Sequence, residues 1–183
     1  ETGDGVPNNG VETESGQVWR SDDGGRQWTL ASSDRNAMGR AHYYSRFAVA
    51  TDDQDELYFL TASYSKSIDG GRTLVVQQRG QAPGGDHHDI WIDPTNADRV
   101  FKDDGNLILS EDAGRSFSVV GGFEGMHGDL HDVWVNPQNP RHVIAGDDGG
   151  LWQSYDGGSR WWKGENLPIS QFYHVSVDDE DPY

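Results

Sequence analysis

The sequence predicts an all-β protein, a β-propeller made of four-stranded antiparallel blades. One turn motif occurs four times along the 183 residues at nearly constant spacing. The composition, with 24 Gly, 7 Trp and 7 Tyr but only 33% hydrophobic residues, suits short strands, tight turns and aromatic packing. No segment has the long apolar stripe of an amphipathic helix. A fixed period in the low forties indicates one supersecondary unit per repeat.

The repeated motif has the pattern Ser-x-Asp-x-Gly-x-x-aromatic. Its serines, at positions 21, 67, 110 and 154, are 46, 43 and 44 residues apart. Leu74 replaces the aromatic residue of the second copy, and Ala113 replaces the first glycine of the third copy. The motif residues are Ser21, Asp23, Gly25 and Trp28; Ser67, Asp69 and Gly71; Ser110, Asp112, Gly114 and Phe117; and Ser154, Asp156, Gly158 and Trp161.

We expect each copy to form the hairpin between the last two strands of a blade. Glycine supplies the positive φ of a tight turn, and the Ser and Asp side chains can accept hydrogen bonds from the turn's own amides. The aromatic residue should pack between adjacent blades. These residues are therefore assigned a structural role, and calcium binding is disfavoured because the spaced carboxylates of an EF-hand loop are absent.

Further segments repeat in register with the turn motif. The segment from Gly85 to Pro94 matches that from Gly128 to Pro137 at an offset of 43, and a turn and a second strand follow each. This gives four strands per period. The expected blades cover about 1–45 (partial), 46–79, 89–122, 132–165 and 173–183 (partial).

The whole of 1–183 is predicted to be a segment of a single, larger propeller. An open arc of three complete and two partial blades would expose strand edges and apolar faces, which invite aggregation. The rest of the propeller would then belong to the parent chain. Closure of about four blades into a small propeller is the alternative.

Charge and hydropathy exclude several functions. The net charge of −17 argues against nucleic-acid binding, which requires Lys and Arg at phosphates. No apolar run approaches the roughly 18 residues of a membrane span. Without Cys, the chain has no disulfide framework. No cofactor and no metal ion are assigned.

The loops before the first strands should converge at the mouth of the central channel, where propellers usually bind ligands. Asp103, Asp104, Asp147 and Asp148 are expected on the same face, farther out. The residues predicted at the mouth are Tyr44, Arg46, Asp86, His88, Asp129, His131, Gln171 and Tyr173.

Three interpretations of this set remain open. In the structural one, the Asp residues satisfy backbone amides and the His residues bond the next blade. In the carbohydrate one, Asp86 and Asp129 act as general acid and base, and ligand contacts come from Tyr44, Arg46, His88, His131 and Tyr173, the last by stacking. In the metal one, His87, His88 and His131 bind Zn²⁺ or Mn²⁺ together with Asp86, Asp129 or Asp132.

The turn motif resembles the Asp-box, or BNR repeat. The segments Gly84 to Pro94, Asp148 to Trp161 and Leu167 to Asp178 are similar to bacterial exported propeller proteins described as glycosyl hydrolase or sortilin-like. The resemblance implies a secreted, periplasmic or cell-surface propeller that binds or hydrolyses polysaccharide, as xyloglucan-active propeller hydrolases do. A non-catalytic, sortilin-like propeller that binds protein or peptide is the alternative. Sialidase activity is disfavoured, because no arginine triad can be assembled.

Overall fold

The computed structural model describes residues 16–37, 45–61, 63–77, 87–103, 105–120, 125–168 and 175–176. Within these ranges the chain forms three four-stranded sheets and one two-stranded sheet, all antiparallel and all ordered as in the sequence. The one helix of these ranges is a 3₁₀ turn at Arg35–Ala37. None of the described residues forms a helix of the length and apolarity that crossing a bilayer requires.

The strand bounds follow the predicted repeat. The two-stranded sheet pairs β1 (Val18–Arg20) with β2 (Thr29–Ser32). The first sheet contains β3 (Arg46–Val49), β4 (Leu57–Leu60), β5 (Tyr64–Ser67) and β6 (Val75–Val76). The second contains β7 (Ile90–Ile92), β8 (Val100–Asp103), β9 (Leu107–Ser110) and β10 (Ser118–Val119). The third contains β11 (Leu130–Val135), β12 (Val143–Asp147), β13 (Gly150–Ser154) and β14 (Trp162–Lys163).

Each repeated motif lies between the last two strands of its sheet and is held by its own side chains. In the second sheet, Ser110 Oγ donates to Asp112 Oδ1 at 2.7 Å and accepts from the amide of Gly114 at 2.8 Å. Asp112 also accepts from the amide and hydroxyl of Ser116. Although partial burial acts in the opposite direction, these bonds lower the pKa of Asp112 to about 2. The other three copies have the same Ser–Asp and Ser–Gly hydrogen bonds.

A backbone hydrogen bond closes each of the three four-stranded sheets at the same end. The amide of Ala113 donates to the carbonyl of Asp98, in the turn between β7 and β8, at 2.9 Å. Gly70 and Gly157 make the equivalent bonds in the first and third sheets, to the carbonyls of Asp55 and Arg141. Ala113 has a φ of 57°, a left-handed conformation that an L-residue adopts at a cost. The turn therefore keeps the left-handed conformation at position 113, although alanine replaces glycine there.

The sheets pack face to face through two apolar clusters. One, between the first and second sheets, contains Tyr58, Leu60, Tyr64, Ile90 and Val100 and is covered by Phe117. The other, between the second and third sheets, contains Phe101, Leu130, Val133, Val143 and Ala145 and is covered by Trp161. Two of the motif aromatics thus pack between sheets as expected.

The first motif aromatic does not pack in this way. Trp28 is 59% exposed, because no sheet precedes its own among the described residues. Its indole nitrogen donates only to the carbonyl of Gly25, within the same turn.

Polar contacts reinforce the junction between the first two sheets. Lys66 Nζ donates to the carbonyl of Ala113 at 2.8 Å, and Tyr64 Oη donates to the carbonyl of Gly114 at 3.0 Å. The turn motif of the second sheet is thereby attached to β5 of the first. At the opposite edge of the sheets the first strands adjoin, with β7 next to both β3 and β11.

Candidate functional site

A group of ionisable residues lies where the first strands of the three sheets begin. It includes Arg46 at the start of β3, His88 and Asp89 just before β7, and His131 and Asp132 in β11. The end of the second strand and the start of the third belong to the same end of each sheet, since Leu130 pairs with Asp147 and Asp147 pairs with Gly150. This end is the one that the sequence predicts to be the functional face.

Buried Asp103 fixes the loop that leads into β7. Its carboxylate accepts hydrogen bonds from the backbone amides of His88 and Asp89, the latter at 2.9 Å, and its side chain is fully buried. Burial raises the pKa of Asp103 well above the ordinary aspartate value, although both amide bonds oppose that shift. Asp103 therefore stabilises the loop, and its burial keeps it from contacting a ligand.

Asp147 has the equivalent role in the third sheet. It accepts hydrogen bonds from the amides of His127 and Gly149, both at 2.8 Å, and from the indole of Trp152 at 3.0 Å. Burial raises its pKa, again against the effect of these bonds. The sequence analysis placed Asp103 and Asp147 on this face but did not foresee that both are buried supports.

Asp89 and Asp132 form an acid pair between the second and third sheets. Their carboxyl groups are hydrogen-bonded to each other, and the pKa of Asp89 is raised to about 7, first by burial and then by the neighbouring Asp132. The positive charge of Arg46 acts in the opposite direction. Asp132 Oδ2 also accepts from the amide of Val175 at 2.8 Å. Below about pH 7, Asp89 therefore keeps a proton that it can donate to Asp132.

A histidine pair stands beside the acid pair. The rings of His88 and His131 meet edge to face, with centroids 4.8 Å apart. His131 Nε2 is 2.7 Å from Asp148 Oδ1. The register passes from Leu130 opposite Asp147 to Asp132 opposite Gly146, so His131 is the extra residue of a β-bulge. Such bulges redirect side chains, which here turns His131 toward His88.

Asp129 belongs to a second cluster in front of β11, which contacts the histidine pair through Asp148. One potential ligand atom from each of His127, Asp129 and Asp148 lies within 4.8 Å of the others. Asp129 is exposed and has a φ of 69°. The sequence predicted Asp129 at the channel face, but its neighbour His127 was not identified.

The predicted site residues thus divide into three groups. The structure brings His88 and His131 together and places Arg46 within electrostatic reach of Asp89. It associates Asp129 with a different cluster. The predicted Asp86, Tyr44, Tyr173 and Gln171, together with Asp104, lie outside the described residues, so the Asp86–Asp129 pair remains a prediction.

Sequence reasoning missed Asp89 and named Asp132 only as a possible metal ligand. A signal existed, because the two residues follow His88 and His131 directly and are 43 positions apart. Their hydrogen bond depends on the distance between the second and third sheets, and a sequence repeat gives no information about that distance. Together with the histidines they supply hydrogen-bond donors, acceptors and an exchangeable proton near neutral pH.

A crevice of about 410 Å³ lies between β1 and the first sheet. It is lined by apolar side chains that include Val18, Trp19, Phe47 and Phe59, and also by Arg46 of the ionisable group. None of the acid or histidine pairs borders it. We therefore regard the crevice as a loosely filled junction between sheets.

Solved structures of several proteins resemble this fold. The crystal structure of an ancestral GH74 enzyme matches 80% of the chain with a TM-score of 0.61 and 17% identity. The GH74 xyloglucanase from Xanthomonas campestris matches 82% with a TM-score of 0.59 and 18% identity. The extracellular domain of a hybrid two-component system from B. thetaiotaomicron matches 71% with a TM-score of 0.57 and 15% identity.

This chain spans 21%, 27% and 20% of the lengths of those three chains, respectively. No family model matches the sequence, and no curated protein sequence matches it. At such low identity the similarities concern the fold alone. They confirm the predicted all-β, propeller-type arrangement of four-stranded antiparallel sheets.

Proposed function

We propose that this chain is part of an exported propeller that binds polysaccharide at the end where the first strands begin. The observation that carries the proposal is the cluster formed by Arg46, His88, Asp89, His131 and Asp132 on three adjoining strands. Sugar hydroxyls require several fixed donors and acceptors close together, and this cluster supplies both. The similarity in fold to GH74 enzymes, one of them a xyloglucanase, supports the same substrate class.

The turn motifs agree with this proposal but add no chemistry. Their hydrogen bonds are those expected of an Asp-box, and we propose that they belong to that repeat class. The carboxylate of the motif Asp in every copy accepts hydrogen bonds within its own turn. The ligand site therefore lies at the other end of the sheets.

The acid pair supports polysaccharide binding better than it supports hydrolysis. Glycosidases that retain configuration separate their two carboxyl groups by about 5–5.5 Å, and inverting enzymes separate them by more. Asp89 and Asp132 are hydrogen-bonded to each other, which is too close for either arrangement. Hydrolysis would need Asp86 and Asp129 as the acid and base, as the sequence predicts.

The test uses the protein in its full natural length. Affinity electrophoresis through gels that contain plant, algal or bacterial polysaccharides would measure binding, and reducing-sugar release would measure hydrolysis. The Asp89→Asn/Asp132→Asn variant removes charge with little change of shape. Glu111→Gln, in the turn motif of the second sheet, is the matched control.

We expect retardation by at least one polysaccharide, loss of retardation in the double variant and no change in the control. Binding without sugar release would assign a binding propeller. Sugar release that the Asp86→Asn/Asp129→Asn variant abolishes would assign a hydrolase. Absence of binding to every polysaccharide would overturn the proposal.

One observation favours a peptide ligand as the second candidate. Asp132 already accepts a hydrogen bond from a backbone amide, that of Val175, and the chain carries a net charge of −17. A basic peptide would present similar donors together with complementary charge. If the protein bound such a peptide but none of the polysaccharides, that result would favour this alternative.

A further inference from the structure

We propose that His127, Asp129 and Asp148 bind a divalent metal ion of the Zn²⁺ or Mn²⁺ class. The three side chains come from two loops: His127 and Asp129 precede β11, and Asp148 lies in the turn between β12 and β13. One potential ligand atom of each lies within 4.8 Å of the others. A small closure of these side chains would place all three around one ion. The proposal goes beyond polysaccharide binding and does not depend on it.

A buried carboxylate holds the two loops in position. Asp147 accepts hydrogen bonds from the amide of His127 in one loop and from the amide of Gly149 in the other. It is fully buried and also bonded to the indole of Trp152. Because the two loops share this anchor, the side chains next to it are brought to one place before any ion arrives.

The two loops approach each other closely at Gly149. A Cβ atom built there would lie 3.1 Å from the Cβ of His127 and 3.3 Å from Asp147 Oδ1. These distances are tighter than ordinary contacts, so a larger residue would push His127 away from Asp148. The glycine therefore permits the spacing that the site requires.

Hydrogen bonds also orient two of the ligands. His127 Nδ1 contacts the carbonyl of Gly128, which can only accept, and in the tautomer that donates from Nδ1 the other ring nitrogen, Nε2, is available to a metal ion. Metal-ligating histidines commonly donate their second ring nitrogen in this way. On the other side, His131 Nε2 contacts Asp148 Oδ1 at 2.7 Å, and His131 is itself buried.

The ligand types indicate the class of metal. One imidazole and two carboxylates suit Zn²⁺ or Mn²⁺, whereas Ca²⁺ and Mg²⁺ are bound mainly through oxygen. His127 and Asp129 are exposed, so water can complete the coordination. The metal interpretation of the sequence combined His87, His88 and His131 with Asp86, Asp129 or Asp132. The proposed site shares only Asp129 with that set.

The test is isothermal titration of the protein with Zn²⁺ and with Mn²⁺, each alone, together with the visible absorption of bound Co²⁺. The variants are His127→Gln and Asp129→Asn; asparagine tolerates the positive φ of position 129. Glu111→Gln again serves as the control, since it removes an exposed carboxylate at the opposite end of a sheet. Circular dichroism verifies that each variant is folded.

We expect one binding event per chain, weakened at least tenfold by either variant and unchanged in the control. The Co²⁺ spectrum of both variants should revert to that of the hydrated ion. A wild-type protein that binds neither ion, or variants that bind as well as the wild type, would overturn the proposal. Polysaccharide retardation measured with EDTA present is a separate result, so either proposal can fail without the other.

Discussion

Asp89 and Asp132 occupy the same position in two consecutive repeats, and their carboxyl groups are hydrogen-bonded across the junction between two sheets. Each lies directly after one member of the histidine pair. Burial, followed by the neighbouring Asp132, raises the pKa of Asp89 to about 7. The contact therefore makes this junction sensitive to protonation.

The first prediction concerns pH. The pKa of Asp89 is raised to about 7, whereas an unfolded aspartate titrates at about 3.9. Between these values the folded protein holds a proton that the unfolded chain has lost, so the free energy of unfolding should fall as the pH rises from about 4 to about 7. Asp103 and Asp147, whose pKa values are also raised, contribute with the same sign.

Denaturant unfolding of the wild type and a variant at several pH values would isolate the part of this pH dependence that is due to Asp89. In the Asp89→Asn variant, the free energy of unfolding should fall less over this pH range, by on the order of 1–3 kcal/mol, because an amide can donate to Asp132 at every pH. Parallel stability curves for the wild type and the variant would contradict the assignment of a shared proton to this pair.

The second prediction concerns Ala113 and Gly114, which have φ angles of 57° and 72°. Ala113→Gly should stabilise the protein by up to about 1 kcal/mol, because glycine adopts this conformation without steric cost. Gly114→Ala should destabilise it by about 2–4 kcal/mol, because the added Cβ would lie 2.8 Å from the ring of Tyr58.

Thermal melting of the two variants would test this pair directly. The important result is that the two variants change the stability in opposite directions, since a turn that is sensitive to any substitution would be destabilised by both. Equal destabilisation would mean that the turn does not need a left-handed residue at position 113.

The third prediction compares two aromatics at the same motif position. Phe117 packs edge to face on Tyr64, with ring centroids 5.3 Å apart, whereas Trp28 is 59% exposed. Phe117→Ala should lower the free energy of unfolding by about 2–3 kcal/mol, and Trp28→Ala by less than about 1 kcal/mol. Urea denaturation of this segment would measure both, and a similar loss from each would show that Trp28 is packed in solution.

The fourth prediction concerns the anchor of the functional face. Asp147→Ala leaves two amides and one indole without their acceptor and should cost about 2–4 kcal/mol. Asp147→Asn keeps one acceptor oxygen and should cost less. Hydrogen exchange at the amide of His127 should accelerate in both variants, and more so in the alanine variant; unchanged exchange would exclude the anchoring role.

The turn motif and its spacing were enough to predict the sheets. The hydrogen bonds from Ser110 to Asp112 and from Gly114 to Ser110 span only a few residues, so the local sequence pattern is sufficient to predict the turn. The acid pair and the loop anchors could not be predicted in the same way. They depend on how closely one sheet approaches the next and on which side chains a bulge redirects, as at His131.

In each four-stranded sheet, the hydrogen bond between the turn motif and the turn after the first strand sets the boundaries of a genetic module. Donor and acceptor both lie within one repeat, as Gly157 and Arg141 do. A duplication or deletion of one whole repeat therefore breaks none of these bonds. Blade number can change by recombination while the turns stay intact, and ligand residues can then diverge copy by copy at the other end of the sheets.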